Sequence, residues 1–256
     1  MISKSIGEHG AIFSGVLAIS FLSSFGVPAE VVKTTFTGGD PGEGLNLSGT
    51  FEYAVNVQSD QDDDWTVQGV TFLSSNSDSL PAGVSLTGGL DADDWADKPE
   101  YGSSADDESL EEMMYDIIWN RGSAGQEIQI DMPVDAGQKY RLLLLFSENY
   151  FDQNQTGDRI LDITVEDTLV EEDLDLIAAT GGPRSGDNPT VGLVWSYSFT
   201  AEDTNLDVTL SNTNPIINAF ALQAIPEPAT VSLLCVCAGL LLNLRAGRRG
   251  VAERTL

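Results

Sequence analysis

Between positions 51 and 225, short stretches rich in β-branched and aromatic residues alternate with clusters of Gly, Asn, Asp and Ser. This punctuation predicts strands at 51–57, 65–73, 83–86, 127–132, 140–146, 160–165, 193–200, 206–210 and 216–225. Ile128-Gln129-Ile130-Asp131-Met132 and Leu206-Asp207-Val208-Thr209-Leu210 alternate apolar and polar positions, the period of a half-buried strand. The unbroken apolar run 142–146 predicts a central strand covered on both faces. One segment has helical spacing instead. Within 105–119, Leu110, Met113, Met114 and Ile117 recur at three and four, with Ser104 or Asp106 placed to cap and acidic residues in the first turn. Many short strands and one helix predict a mainly β fold, an antiparallel β-sandwich over 50–225. Residues 30–49, including Gly38-Gly39-Asp40-Pro41-Gly42-Glu43-Gly44, read as a turn-rich lead-in, since the glycine run lacks the Lys-Ser/Thr ending of a phosphate loop.

The two ends are patterned differently. Lys4 precedes an apolar run over 11–27 broken only by Ser and Gly, and Val27-Pro28-Ala29 follows with small residues at the two positions a signal peptidase reads. Charge, apolar run and small-residue site form the order of a secretory signal, so 1–29 is expected to be removed and the mature chain to begin at Glu30. At the other end Pro226-Glu227-Pro228 opens a second apolar run, 229–244, which closes on Arg245, Arg248 and Arg249 and leaves 250–256 as a cytoplasmic tail. Retained positive charge places the preceding domain outside. Sixteen residues fall short of the ~20 that a hydrocarbon core of ~30 Å requires, so this transmembrane helix is expected to be a marginal, temporary anchor. Over 226–249 the tail resembles the PEP-CTERM sorting signal. That resemblance implies recognition by an exosortase in bacteria that secrete exopolysaccharide; the alternative is an ordinary single-pass anchor.

Composition narrows the chemistry. Positions 30–225 hold 37 acidic against 7 basic residues, a net charge of −30. Such a field repels phosphate backbones and anionic lipids, which excludes nucleic acid as a partner. Cys235 and Cys237 both lie in the C-terminal apolar run, so the exported domain has no disulfide. The single histidine, His9, lies in the signal segment; the mature chain therefore lacks the means for Ser-His-Asp or Cys-His catalysis and for His-ligated zinc. No enzyme activity and no cofactor are expected. Ca2+ is the open alternative, with Asp62, Asp63 and Asp64 before Trp65 and Asp91, Asp93 and Asp94 before Trp95 as candidate oxygen ligands, although no EF-hand spacing is present and charge runs ordinarily face water.

From Tyr140 the chain reads Tyr140-Arg141-Leu142-Leu143-Leu144-Leu145-Phe146-Ser147-Glu148-Asn149-Tyr150-Phe151, then Arg159-Ile160-Leu161-Asp162-Ile163, then Asp173-Leu174-Asp175-Leu176, and finally Asn214-Pro215-Ile216-Ile217-Asn218-Ala219. In order and spacing this series resembles malectin and malectin-like domains, closely over 140–225 and more loosely over 50–139, where Tyr53-Ala54-Val55-Asn56-Val57 is similar to the opening strand. The resemblance implies a galactose-binding-like jelly roll. It also implies a sugar site, in which aromatic rings lie against the C–H faces of a pyranose while polar groups read its hydroxyls. Carried over position by position, the adjacent aromatic pair falls on Tyr150 and Phe151, an earlier tyrosine beside glycine on Tyr101, and a further aromatic near Trp119. The acidic residue before Asn-Pro falls on Thr213, so its carboxylate is missing and Asn212 or Asn214 is left to supply hydrogen bonds. Each of these has a plainer role beside it: Phe151, Trp119 and Tyr101 as packing residues, and Asp162, Asp173 and Asp175 as stabilisers of turns and sheet edges.

The expected function is an exported, surface-sorted, non-catalytic carbohydrate-binding module in the cell envelope or matrix, with a glycan or exopolysaccharide as ligand and signal peptidase, exosortase and membrane as processing partners. The alternatives are a structural or adhesive matrix protein that binds protein or Ca2+, and a glycosidase using two carboxylates.

Overall fold

The computed structural model describes residues 29–57, 63–76, 80–88, 91–94, 97–120, 127–184 and 187–226. The signal segment 1–28, Asp62, Trp95 and the sorting tail from Glu227 through Pro228, Arg245, Arg248 and Arg249 lie outside them. Among the described residues no helix is long and apolar enough to cross a membrane.

In chain order the elements are β1 (Glu30–Phe36), β2 (Phe51–Asn56), β3 (Trp65–Val67), β4 (Val70–Ser74), β5 (Ser85–Gly88), β6 (Asp91–Asp94), α1 (Ala105–Met113), β7 (Asp116–Trp119), β8 (Ile128–Pro133), β9 (Lys139–Phe146), β10 (Ile160–Val165), β11 (Thr168–Asp175), α2 (Leu176–Thr180), β12 (Gly192–Thr200), β13 (Asn205–Thr213), β14 (Ile216–Ile217) and β15 (Ala219–Ile225). They form a seven-stranded sheet in the order β1-β12-β9-β15-β2-β4-β3, a five-stranded sheet β11-β10-β13-β8-β5 and a small sheet β14-β7-β6. The two large sheets make a β-sandwich. Their pairings are antiparallel except β2 with β4, which run parallel.

The run 142–146 lies in β9, between β12 and β15 in the middle of the larger sheet. Alternation divides it between two cores. Leu142, Leu144 and Phe146 join Ile128, Ile130, Leu161, Ile163, Trp195, Val208 and Phe220 between the sheets. Leu143 and Leu145 face the other way, into a second core with Phe36, Leu45, Phe72, Leu110, Met113 and Met114. Helix α1 and the 38–47 segment thus close the outer face of the larger sheet, which is why every side chain from Leu142 to Phe146 is buried.

Three expectations are corrected. Residues 30–36, expected as lead-in, pair along their whole length with β12 as an edge strand. The helix expected over 105–119 ends at Met113; Ser104 caps it in a capping box with Asp107, while Asp116–Trp119 becomes a strand, because Ile117 and Ile118 are β-branched and Ile118 and Trp119 pair with Ile217 and Ile216. The stretch 91–94, expected as an acidic loop, pairs with that strand as β6.

Asn218, between β14 and β15, ties these parts together and is fully buried. Its side-chain oxygen accepts from the Ser147 amide at 2.8 Å, and its side-chain nitrogen donates to the Met114 and Asp116 carbonyls at 3.0 Å each. One amide side chain therefore fixes the exit of β9 against the α1–β7 connection. Asn218→Ala removes three hydrogen bonds from a dry interior, where a group left unpaired costs ~1–3 kcal/mol. We expect a loss of about 3 kcal/mol or more in denaturant unfolding; a midpoint within error of wild type would show that the hub is dispensable.

Candidate functional site

The segment leaving β9 turns over the end of the sandwich. Ser147 and Asn149 are buried, with the Tyr101 hydroxyl donating to Ser147 Oγ at 3.1 Å and Ser147 Oγ donating to Asn149 Oδ1 at 2.6 Å. Glu148 is buried as well, at 1% exposure, and so is Arg159 at the start of β10, at 2%. The guanidinium donates to both Glu148 carboxylate oxygens through Nε and Nη2. Glu148 Oε1 also accepts the backbone amides of Tyr150 and Phe151, each at 2.9 Å. Charged groups in such a place are stable only when paired and hydrogen-bonded, and here each condition is met. Burial pulls the Arg159 pKa down while Glu148 opposes the shift.

This arrangement presents the aromatic pair. With its amide held from below, Tyr150 is 70% exposed, the one aromatic among the exposed large hydrophobic residues described. Phe151 is half-buried; its ring meets that of Tyr150 edge to face at 5.0 Å and lies 4.9 Å from the Arg159 guanidinium carbon.

Arg159 also reaches the far side of the same end. Its Nη1 donates to the Asn214 carbonyl, and the Asn214 side-chain amide donates to the Asp158 carbonyl at 2.8 Å. Asn214 sits at φ 51°, a left-handed conformation that Asn tolerates. The next residue, Pro215, accepts the Asn120 amide at 3.0 Å, and Trp119 stands opposite Ile216. Tyr150, Phe151, Asn214 and the end of β7 with Trp119 and Asn120 are thereby linked at one end of the sandwich. Asn120 is fully buried, and neither atom of its side-chain amide meets a hydrogen-bond partner among the described residues. Beside the aromatic loop runs a polar groove of about 570 Å³ lined by Glu100, Gln153, Pro183, Arg184 and Asn188.

Other candidates have different surroundings. Tyr101 is a packing residue: it is buried, its ring meets Phe36 edge to face at 5.4 Å, its hydroxyl is taken by Ser147, and burial raises its pKa strongly. Trp119 is half-buried against the main core. The Asn212 amide donates to the Asp162 and Asp173 carboxylates at 3.2 and 3.1 Å and so joins β13 to the β10–β11 edge. Thr213, at the position of the family's acid, donates its hydroxyl to Asn212 Oδ1 at 3.1 Å. Asp175 caps α2 through the Ala178 amide, as a turn-stabilising role requires.

Of the candidate calcium ligands, Asp64 accepts the Ser74 amide at 2.9 Å and the Asp63 carbonyl accepts from Asn56, both serving the β2–β4 edge. A different set of carboxylates converges. Asp40, Glu43 and Asp107 place oxygens within 4.8 Å of one another, close enough for one cation with Ca2+–oxygen distances of ~2.3–2.6 Å. No motif in the sequence joins these three, because the 38–44 turn and the first turn of α1 meet only in the fold. Burial alone would raise the Asp107 pKa, but the Gly39 amide at 2.8 Å and the Ser104 amide and hydroxyl outweigh it and hold the carboxyl below its ordinary range.

Sequence reasoning also missed the Glu148–Arg159 pair. The signal was present: Glu148 and Arg159 are an acid and a base flanking the aromatic loop in a domain with few bases.

Comparison with known proteins follows the same lines. The family model described as Malectin domain matches residues 51–220. Among solved structures, the ANXUR1 extracellular domain from Arabidopsis thaliana is similar with a TM-score of 0.52 at 12% identity, over 76% of this chain and 56% of that one. The ANXUR2 extracellular domain from the same plant gives 0.51 at 12%, over 70% and 51%, and the plant receptor-like kinase ANX2 gives 0.53 at 13%, over 70% and 51%. The chain thus spans about half the length of these structures, and at such identity the likeness concerns the fold. A search of curated proteins gives no match.

Two outcomes are expected from this geometry. Arg159→Met strands a buried carboxylate and should cost about 3–5 kcal/mol in denaturant unfolding, with Glu148→Gln in the same chain restoring part of it; strictly additive costs would show that the two do not act as a pair. Because the Asp107 pKa is depressed on folding, its contribution is present above the unfolded value of ~3.9 and is lost as pH falls through the lower folded value. Asp107→Asn should therefore flatten the acid limb of a Tm-against-pH curve, and parallel wild-type and variant curves would refute this.

Proposed function

The chain belongs to the malectin domain family, and from that premise we propose that it is an exported, non-catalytic carbohydrate-binding module, a jelly-roll sandwich of the galactose-binding type that holds a glycan of the cell surface or secreted matrix. The observation that carries this reading is Tyr150: a large aromatic ring held out to solvent while its backbone is fixed by a buried ion pair. An exposed ring is unfavourable in water and favourable against the apolar face of a pyranose. Preorganisation lowers the entropy lost on binding. Asn214 and the polar groove with Arg184 and Asn188 are the groups that would read hydroxyls, and since Thr213 replaces the family's acid, the preferred sugar should differ from a glucose-type ligand.

The absence of catalysis is part of the same reading. Glu148, the carboxylate beneath the aromatic pair, is engaged by Arg159 and two amides and is poorly placed to transfer a proton. Export and sorting rest on the signal segment and on Pro226-Glu227-Pro228 with Arg245, Arg248 and Arg249. In this reading signal peptidase removes 1–29, an exosortase acts on 226–249, and the apolar run 229–244 anchors the chain until then.

A second reading, a matrix protein without a sugar site that depends on Ca2+, is favoured by the convergence of Asp40, Glu43 and Asp107. Glycan-array binding with and without Ca2+ separates the two: hits in either condition support the module, whereas an empty array with a calcium-dependent rise in Tm supports the matrix protein. On a glycan that binds, Tyr150→Ala should remove ~0.5–1.5 kcal/mol of stacking. That corresponds to a loss of up to about tenfold in affinity, with Tm unchanged. Unaltered affinity would withdraw the site assignment.

A further inference from the structure

The end of the sandwich away from Tyr150 holds a second site. β9 and β12 run from Phe146 opposite Leu193 at the aromatic end to Lys139 opposite Thr200 at the other. At that far end the sheets part around a pocket of about 230 Å³, lined by Ala29, Glu166, Thr168, Tyr197, Phe199 and Glu202 among others. The Tyr197 and Phe199 rings lie nearly parallel, 5° apart in plane with centroids at 5.8 Å, and form one wall. Glu166 closes it from the tight β10–β11 turn, where Glu166 and Asp167 both have positive φ. Glu166 Oε2 accepts the Glu202 amide at 2.8 Å, but Oε1 is buried and meets no donor among the described residues. A carboxylate oxygen withdrawn from water without a donor is costly, and burial together with Glu202, Asp203 and Asp207 raises the Glu166 pKa against the pull of the Glu202 amide. Tyr197 is shifted upward too, by burial and by Glu166. Lys139 pairs with Thr200 and by alternation belongs to the sheet face away from Phe199. A pocket with two carboxylates and aromatic faces suits an ammonium group.

The chain can supply that group itself. Ala29 lines the pocket immediately before β1, whose Glu30 pairs with Ser198, between the two stacked rings in sequence. We infer that the pocket receives the α-ammonium created by cleavage between Ala29 and Glu30, pairing it with Glu166 and Glu202. Hydrolysis consumes one water, releases a carboxylate on Ala29 with the leader and leaves an amine on Glu30 that takes up a proton. Ala29 departs from its side of the pocket as the cation forms at the rim. Processing then does more than release the domain: it ties the edge strand β1 to the opposite sheet through the β10–β11 turn. The inference rests on the reading of 1–29 as a cleaved signal.

The test uses the chain from Glu30 to Leu256 in detergent, with a free or an acetylated amino terminus, each in wild type and in Glu166→Gln. The expected amine pKa in wild type lies about one unit or more above the ordinary ~7.7–8.0, read by NMR titration, and falls back in Glu166→Gln. Acetylation should lower Tm by a few degrees in wild type and little in the variant. An ordinary amine pKa in wild type, or equal acetylation effects in both backgrounds, overturns the inference. Mass spectrometry of the chain from its host speaks to the premise separately: an N-terminus at Glu30 supports it, and retained Ala29 overturns the inference whatever the amine does.

Discussion

Burying the Glu148–Arg159 pair constrains everything around the aromatic loop. Two charges in a dry interior are tolerated only when their remaining hydrogen-bonding positions are filled, and the groups that fill them are the Tyr150 and Phe151 amides on one side and the Asn214 carbonyl on the other. Satisfying the charges thus dictates the path of two separate loops. The exposed ring of Tyr150 follows from a requirement beneath it, since a backbone anchored at two successive amides has little freedom to fold the side chain inward.

That requirement can be met only because the surrounding framework is stiff. β9 is covered on both faces, by the facing sheet and by α1 with the 38–47 segment, and its exit is fixed through Ser147 to Asn218. Tyr101 belongs to this frame, its hydroxyl supporting Ser147 from the second core. The residue expected at a ligand surface is therefore part of the buried frame.

The charge of the domain is distributed with similar economy. Of seven basic residues between 30 and 225, Arg159 is sealed inside and Arg184 lies on the groove beside the aromatic loop. Many carboxylates have structural partners: Asp107 holds the Gly39 amide, Asp175 caps α2, and Asp162 and Asp173 brace the β10–β11 edge. Glu166 Oε1 is a buried carboxylate oxygen without such a partner, at the end of the sandwich where the chain would be cut.

β8, β9, β10, β12 and β13 were legible because period-2 alternation and uninterrupted apolar runs are local consequences of which face is buried; Ile128–Pro133 and Leu142 to Phe146 needed no partner to be read. The mostly exposed edge strand β11 was not read, and 216–225, expected as one strand, is broken at Asn218 into β14 and β15. The aromatic pair was legible as a motif, and the ends of the chain as charge and apolar patterns. What lay beyond reach depended on partners distant in sequence. Asp116–Trp119 carries a helical stripe, yet it pairs with Ile216–Ile217 a hundred residues away, and long-range pairing overrode spacing. β1 carries β-branched residues but no alternation of buried and exposed positions, because it is an edge strand exposed at five of its seven residues. Tyr101 was assigned to the ligand and Asn218 to nothing, since burial is decided by what packs above a residue rather than by its neighbours in the chain. Glu148 with Arg159, and Asp40 with Glu43 and Asp107, are ordinary charged residues in sequence. Only closure of the sandwich makes them a positioning pair and a convergent set of oxygens, because a charge acquires its role from the distance and dielectric that folding imposes.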